Sequence, residues 1–116
     1  MLNFFKKENP DFTIIGKDST FKGEITSSHQ VYIKGTVEAN KIIAKSVFIE
    51  VGGSLTADIE CSEVFIAGVY KGNINCSNIT IEPTGDVESD ITYTSMLNIN
   101  PNCTYNGTIK KSLNSV

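Results

Sequence analysis

One short phrase returns six times along this chain: a branched apolar residue, a spacer, Ile, a turn, then apolar-x-small-x-apolar. Its clearest copies are Val31-x-Ile33…Gly35-x-Val37-x-Ala39, Val47-x-Ile49…Gly53-x-Leu55-x-Ala57-x-Ile59 and Val64-x-Ile66…Gly68-x-Tyr70-x-Gly72-x-Ile74. Two more follow, Ile79-x-Ile81…Gly85-x-Val87-x-Ser89-x-Ile91 and Leu97-x-Ile99…Cys103-x-Tyr105-x-Gly107-x-Ile109, and a frayed first copy runs from Thr13 through Phe21 to Ile25. A unit this short cannot close a core alone. It buries its apolar side only against copies of itself, which makes the chain a solenoid rather than an ordinary globular domain.

The apolar residue after each turn serves as an anchor: Phe21, Val37, Leu55, Tyr70, Val87 and Tyr105, spaced 16, 18, 15, 17 and 18 apart. Within a copy apolar and polar residues alternate, the period of a half-buried strand, and no useful stretch keeps the spacing of a helix. At about 3.3 Å per residue a coil of this length is three short strands joined by corners, stacked on the next coil about 4.8 Å away. The pattern predicts an all-β, single-domain parallel β-helix with a length on the order of 28 Å.

The columns set the register. Two residues before the anchors stand Ser19, Gly35, Gly53, Gly68, Gly85 and Cys103, a corner that needs φ > 0 or close approach between coils. Two residues after them stand Gly23, Ala39, Ala57, Gly72, Ser89 and Gly107, all small. Four after stand Ile25, Lys41, Ile59, Ile74, Ile91 and Ile109, where Lys41 is the misfit and Ile42 is expected to replace it through a bulge. Six after stand Ser27, Ile43, Cys61, Cys76, Tyr93 and Lys111, which stacks Cys61 on Cys76 inside the stack.

That thiol column offers no His or further Cys, so it reads as packing, and no metal site, cofactor site or catalytic residue is expected. An odd number of Cys without a secretion signal fits a reducing cytosol. A formal charge of −3 leaves no basic footprint for nucleic acid. The 116 residues divide into a tail (1–12), the solenoid body (13–109) and a short flexible tail (110–116).

The N-terminal tail stands outside the repeat. Its apolar part is too short for a signal peptide and cannot span a bilayer. It reads either as a plain tail or first-coil lid, or as a peripheral anchor in which Met1, Leu2, Phe4 and Phe5 enter an anionic membrane surface while Lys6 and Lys7 meet its headgroups. Neither end shows a capping helix. Ile15, Phe21 and Ile25 at one end, and Leu97, Ile99, Tyr105 and Ile109 at the other, are therefore candidate residues of a polymer joint.

The repeat, the Thr13–Gly16 start and the stretches Phe21-Lys22-Gly23-Glu24-Ile25 and Val31-Tyr32-Ile33-Lys34-Gly35-Thr36-Val37 resemble the bactofilins, bacterial cytoskeletal polymer-forming proteins. The resemblance covers Met1 through Ile109. It implies a right-handed parallel β-helix of about six triangular coils. It implies end-to-end assembly into nonpolar filaments without nucleotide, joined N-end to N-end and C-end to C-end. Tyr105 matches the family's terminal aromatic, where Phe is usual, and the N-terminal segment is similar to the membrane-targeting peptide of many members. The partners implied are further copies of the chain, the inner face of the cell membrane from the cytoplasm, and cell-wall or morphogenesis proteins.

Two rival classes fit less well. A left-handed β-helix acyltransferase is built from strict hexapeptides and needs a general base, whereas the spacing here drifts and the single His, His29, sits in a polar corner. A passive adaptor rod would bind partners along its wall, where Tyr32, Phe48 and Phe65 form an outward aromatic column. That column reads either as cross-coil stacking or as a lateral contact.

Overall fold

The computed structural model describes residues 12–112, whose regular elements are all strands. Each coil begins on a short strand: β1 (Phe12–Ile15), β3 (Gln30–Ile33), β5 (Ser46–Ile49), β7 (Glu63–Ile66), then the second halves of β8 (Val69–Ile81) and β9 (Asp86–Ile99). It continues along a longer one: β2 (Thr20–Thr26), β4 (Thr36–Ile43), β6 (Ser54–Glu60), the first halves of β8 and β9, and lastly β10 (Thr104–Asn106) and β11 (Ile109–Lys111). Every pairing is parallel and joins a strand to its equivalent one coil away. The result is a parallel β-solenoid of six coils.

The register is the one the columns predict. Phe21, Val37, Leu55, Tyr70, Val87 and Tyr105 stand opposite one another in sequence along a single ladder. Ile15, Ile33, Ile49, Ile66, Ile81 and Ile99 form a second. The inner members of these ladders are closed to solvent, and their branched side chains pack on their own copies above and below. The expected three strands per coil appear as two through most of the stack. The second strand bends into the third at the small residue after each anchor, and the ladder runs unbroken through that bend only between coils 4 and 5.

The drift in repeat length has a simple origin. Coils 1, 3, 5 and 6 turn their first corner through four residues closed by a backbone hydrogen bond, as in Gly53 N to Glu50 O (2.8 Å) and Gly85 N to Glu82 O (2.9 Å). Coils 2 and 4 turn it in two, Lys34-Gly35 and Ala67-Gly68. The spacings of 15 and 17 in the sequence are these two corners, and the others carry one added residue, at 27–29, 40–41 or 94–95. Close approach requires Gly at both recessed corners, as it does at Gly53 in the projecting corner of coil 3. A Cβ at Gly68 would run into the carbonyl oxygens of Glu50 and Gly53.

The bulge falls where Lys41 predicts it, with Ile42 opposite both Ile25 and Ile59 and Lys41 displaced to stand opposite Asp58. It carries a consequence that the column of sixth residues missed. Shifting by one turns Ile43 outward, 41% exposed, and puts Ala44 (7%) in its place beneath Cys61. Ile42→Ser is therefore expected to cost about 3–4 kcal/mol by opening a buried site, and Ile43→Ser to stay within about 0.5 kcal/mol of the parent. Urea unfolding of the two variants checks this, and equal losses would put the bulge elsewhere.

A second device links the anchor to the small residue after it. Where the anchor is aromatic (Phe21, Tyr70, Tyr105), the small residue is Gly with φ of +141° (Gly23), +147° (Gly72) or +143° (Gly107). Where it is aliphatic (Val37, Leu55, Val87), the small residue is Ala39, Ala57 or Ser89. The ring fills the space a side chain would take, and the backbone swings to a conformation that L-residues avoid. The Tyr70 hydroxyl reaches the carbonyl oxygens of Ala57 in the coil below and Asn73 in its own. Asp58 accepts from the Asn73 amide at 3.2 Å.

Candidate functional site: the open ends of the stack

The ladders close in the middle and stay open at the ends. Ile42, Ile59, Ile74 and Ile91 are 0–1% exposed, whereas Ile109, next in the same column, is 39% exposed. The anchor ladder behaves alike: Val37, Leu55, Tyr70 and Val87 are buried, and the terminal Phe21 and Tyr105 are half-buried. Of the other end residues singled out in the sequence, Ile15, Leu97 and Ile99 are half-buried, and Ile25 is already covered at 9%. Among the described residues β1 and β2 pair on one side only, as do β10, β11 and the Met96–Ile99 part of β9. Each end of the described stack thus presents unpaired strand polarity around partly covered apolar side chains, the chemistry of an open sheet edge.

The C-terminal end is stiffened from within. The Tyr105 hydroxyl lies 2.8 Å from the Ser89 carbonyl oxygen and 3.0 Å from that of Thr108, repeating the arrangement at Tyr70. Asp90 accepts from both the Thr108 amide (3.2 Å) and its hydroxyl (2.8 Å). Burial, with the Asp90 carboxylate adding to it, holds the Tyr105 phenol above its ordinary range. The end ring is therefore fixed in place while part of it remains open. β11 runs on to Lys111, past the body's expected limit at Ile109.

The thiols behave as core. Cys61 is half-buried with its Sγ donating to the Glu63 carbonyl oxygen at 3.2 Å, and Cys76 is buried; both are free. Burial pushes the Cys61 thiol up to about 12, with the Cys76 charge adding, and burial pushes Cys76 up to about 12 as well. Both groups favour the folded state as neutral thiols. That contribution is complete below their ordinary value of 9.0 and is lost as pH rises toward 12. Thermal melts are expected to fall more steeply over this window for the parent than for a Cys61→Ala/Cys76→Ala variant, and parallel curves would contradict the assignment.

On the outer wall Tyr32 stacks on Phe48 (centroids 4.6 Å apart, rings 9° from parallel) and Phe48 on Phe65 (4.9 Å, 3°). Among the described residues three exposed ion pairs bridge neighbouring coils, Lys22–Glu38 (3.8 Å), Lys41–Glu60 (3.0 Å) and Lys71–Glu88 (3.7 Å), each worth at most about 1 kcal/mol. His29 is exposed in its corner, where its amide donates to Ser27 Oγ at 3.0 Å. Met1, Leu2, Phe4, Phe5, Lys6 and Lys7 lie outside the described residues. No helix among the described residues is long and apolar enough to cross a membrane.

Comparison with known families decides what a solenoid with such ends is. The model of the bactofilin family, described as polymer-forming cytoskeletal, matches residues 13–110, nearly the whole solenoid. The chain belongs to the bactofilin family. Relatives of this bactofilin include BacO of Myxococcus xanthus, 38% identical over 66 residues (57% of this chain, 52% of that protein). BacP of the same organism is 25% identical over 84 residues (72% of this chain, 35% of that protein). The chain thus spans about half and about a third of the length of these two relatives. No solved structure matches this bactofilin significantly. Membership assigns it a structural, cytoskeletal class.

Proposed function

We propose that this bactofilin assembles end to end, without nucleotide, into nonpolar filaments that scaffold cell-shape or cell-wall proteins at the cytoplasmic face of the membrane. One observation carries the reading: the interior column ending in Ile109 is closed at 0–1% through four coils and 39% exposed at the last. An open apolar column with unpaired edges is satisfied by a second copy of the same end. Ile15 and Phe21, with a small share from Ile25, form one joint; Leu97, Ile99, Tyr105 and Ile109 form the other. No catalytic residue is assigned, because the end residues are apolar and the polar groups beside them are engaged in holding the coils together.

Membrane attachment falls to Met1, Leu2, Phe4 and Phe5, with Lys6 and Lys7 each adding about 1 kcal/mol at an anionic surface. A single such tail binds weakly, and a filament carrying many binds well through effective concentration. Negative-stain microscopy of the purified chain with anionic vesicles tests both parts. The expected result is nucleotide-independent filaments lying along the vesicles. A solitary subunit at high concentration would refute assembly, and filaments indifferent to vesicles would refute attachment alone.

A further inference from the structure

The alternation of corner lengths leaves the first edge of the solenoid toothed. The four-residue turns of coils 3 and 5 project, and the two-residue turn of coil 4 is recessed between them. The notch so formed, of about 380 Å³, is walled by Val51 and Pro83, floored by Ala67 and backed by Phe65. Val51 is 70% exposed, the most open of the large apolar side chains among the described residues. Thr84 Oγ1 donates to the Ala67 carbonyl oxygen at 2.7 Å, so the floor's polar group is already engaged and its methyl is what remains to be covered. Glu50 and Glu82 stand at the rim and belong to none of the ion pairs among the described residues. The corresponding notch over coil 2 shares Glu50 and Val51 but sets Lys17 and Lys34 beside the acids Asp18 and Glu50 and has no aromatic wall.

An apolar slot with an acidic rim selects an occupant with apolar side chains followed by cationic ones. This chain carries one, Leu2-Asn3-Phe4-Phe5-Lys6-Lys7. It is tethered within reach. The segment precedes β1, which lies along the same face as Phe65, and Phe65 is three coils from Ile14, a distance of about 14 Å. Phe5 lies seven residues before Phe12, a span that extends to about 23 Å. We propose that the notch over the fourth coil holds the chain's own N-terminal segment, with Phe4 or Phe5 seated against Phe65 and Val51, and Lys6 and Lys7 facing Glu50 and Glu82. Because the same side chains enter the bilayer in the reading above, docking and membrane insertion exclude each other. The notch sets how much of the tail is available to lipid.

The test uses the full chain and limited tryptic cleavage after Lys6 and Lys7, followed by mass spectrometry. Docking is expected to slow this cleavage about tenfold relative to Glu82→Lys and Phe65→Ser variants, a factor worth about 1.4 kcal/mol. Glu82 is exposed, so its variant keeps the fold, and Glu38→Lys, remote from the notch, should cleave like the parent. The two notch variants should also sediment more completely with phosphatidylglycerol-containing vesicles. Equal cleavage in parent and notch variants would overturn the proposal, whatever the vesicles do. Protection that grows with protein concentration would also overturn it, by making another copy the occupant. Loss of vesicle binding in every variant, with protection intact, would instead remove the membrane reading and leave the dock standing.

Discussion

Gly72→Ala is expected to destabilise the chain by more than about 4 kcal/mol, a loss that single substitutions rarely reach. Two costs combine. The backbone at Gly72 holds φ at +147°, which a Cβ disfavours, and that Cβ would run into the Ala57 carbonyl oxygen and stand 2.7 Å from the Tyr70 hydroxyl oxygen. Neither obstacle gives way easily: the carbonyl is backbone of the coil below, and the hydroxyl is held by Ala57 and Asn73. Gly52→Ala provides the comparison, since Gly52 also has a positive φ (+90°) but nothing within 4 Å of its added carbon. It should cost only the conformational term, about 1–2 kcal/mol. Urea unfolding of both variants is the measurement, and a Gly72→Ala loss no larger than that of Gly52→Ala would show that the ring and the Gly are not coupled.

Charge at the C-terminal end is expected to stop filament growth. Tyr105→Arg and Ile109→Lys each place a cation where the proposed joint excludes water, and an unpaired charge there costs several kcal/mol per joint. At about 1.4 kcal/mol per tenfold, a loss of about 3 kcal/mol raises the concentration needed for assembly by roughly a hundredfold. The two variants separate joint from fold. Tyr105→Arg also removes the hydroxyl that braces Ser89 and Thr108, whereas Ile109→Lys leaves those bonds in place. Short folded species from both, seen by microscopy and sedimentation, support the joint. Long filaments from Ile109→Lys would remove this end from it.

Most of the fold was legible because the solenoid writes its contacts as columns. An anchor's neighbour in space is the next anchor in sequence, so aligning the copies recovered the pairing of Phe21 through Tyr105 and even the displacement of Lys41 by Ile42. Ile43 is not recovered that way, because the one-residue shift at Lys41 carries on to the residues after it. The coupling of aromatic anchors to Gly was written in the sequence too, as Phe21-x-Gly23, Tyr70-x-Gly72 and Tyr105-x-Gly107. Grouping Gly, Ala and Ser together as small residues conceals it. The toothed edge was hidden for another reason. Two corner lengths and three added residues sum to spacings that look like drift, and only the ladder register separates them.

Ile109 and Ile91 occupy the same column yet differ from 39% to 1% in exposure, and this difference reaches beyond contact area. A coil with a neighbour on one side only opens more readily than one held on both. Amide protons in the last coil should therefore exchange with solvent well before those in the middle, and slow down when another subunit's tip covers them. On the proposed assembly, folding of a subunit and elongation of the polymer finish together, since each newcomer supplies the missing half of its neighbour's protection.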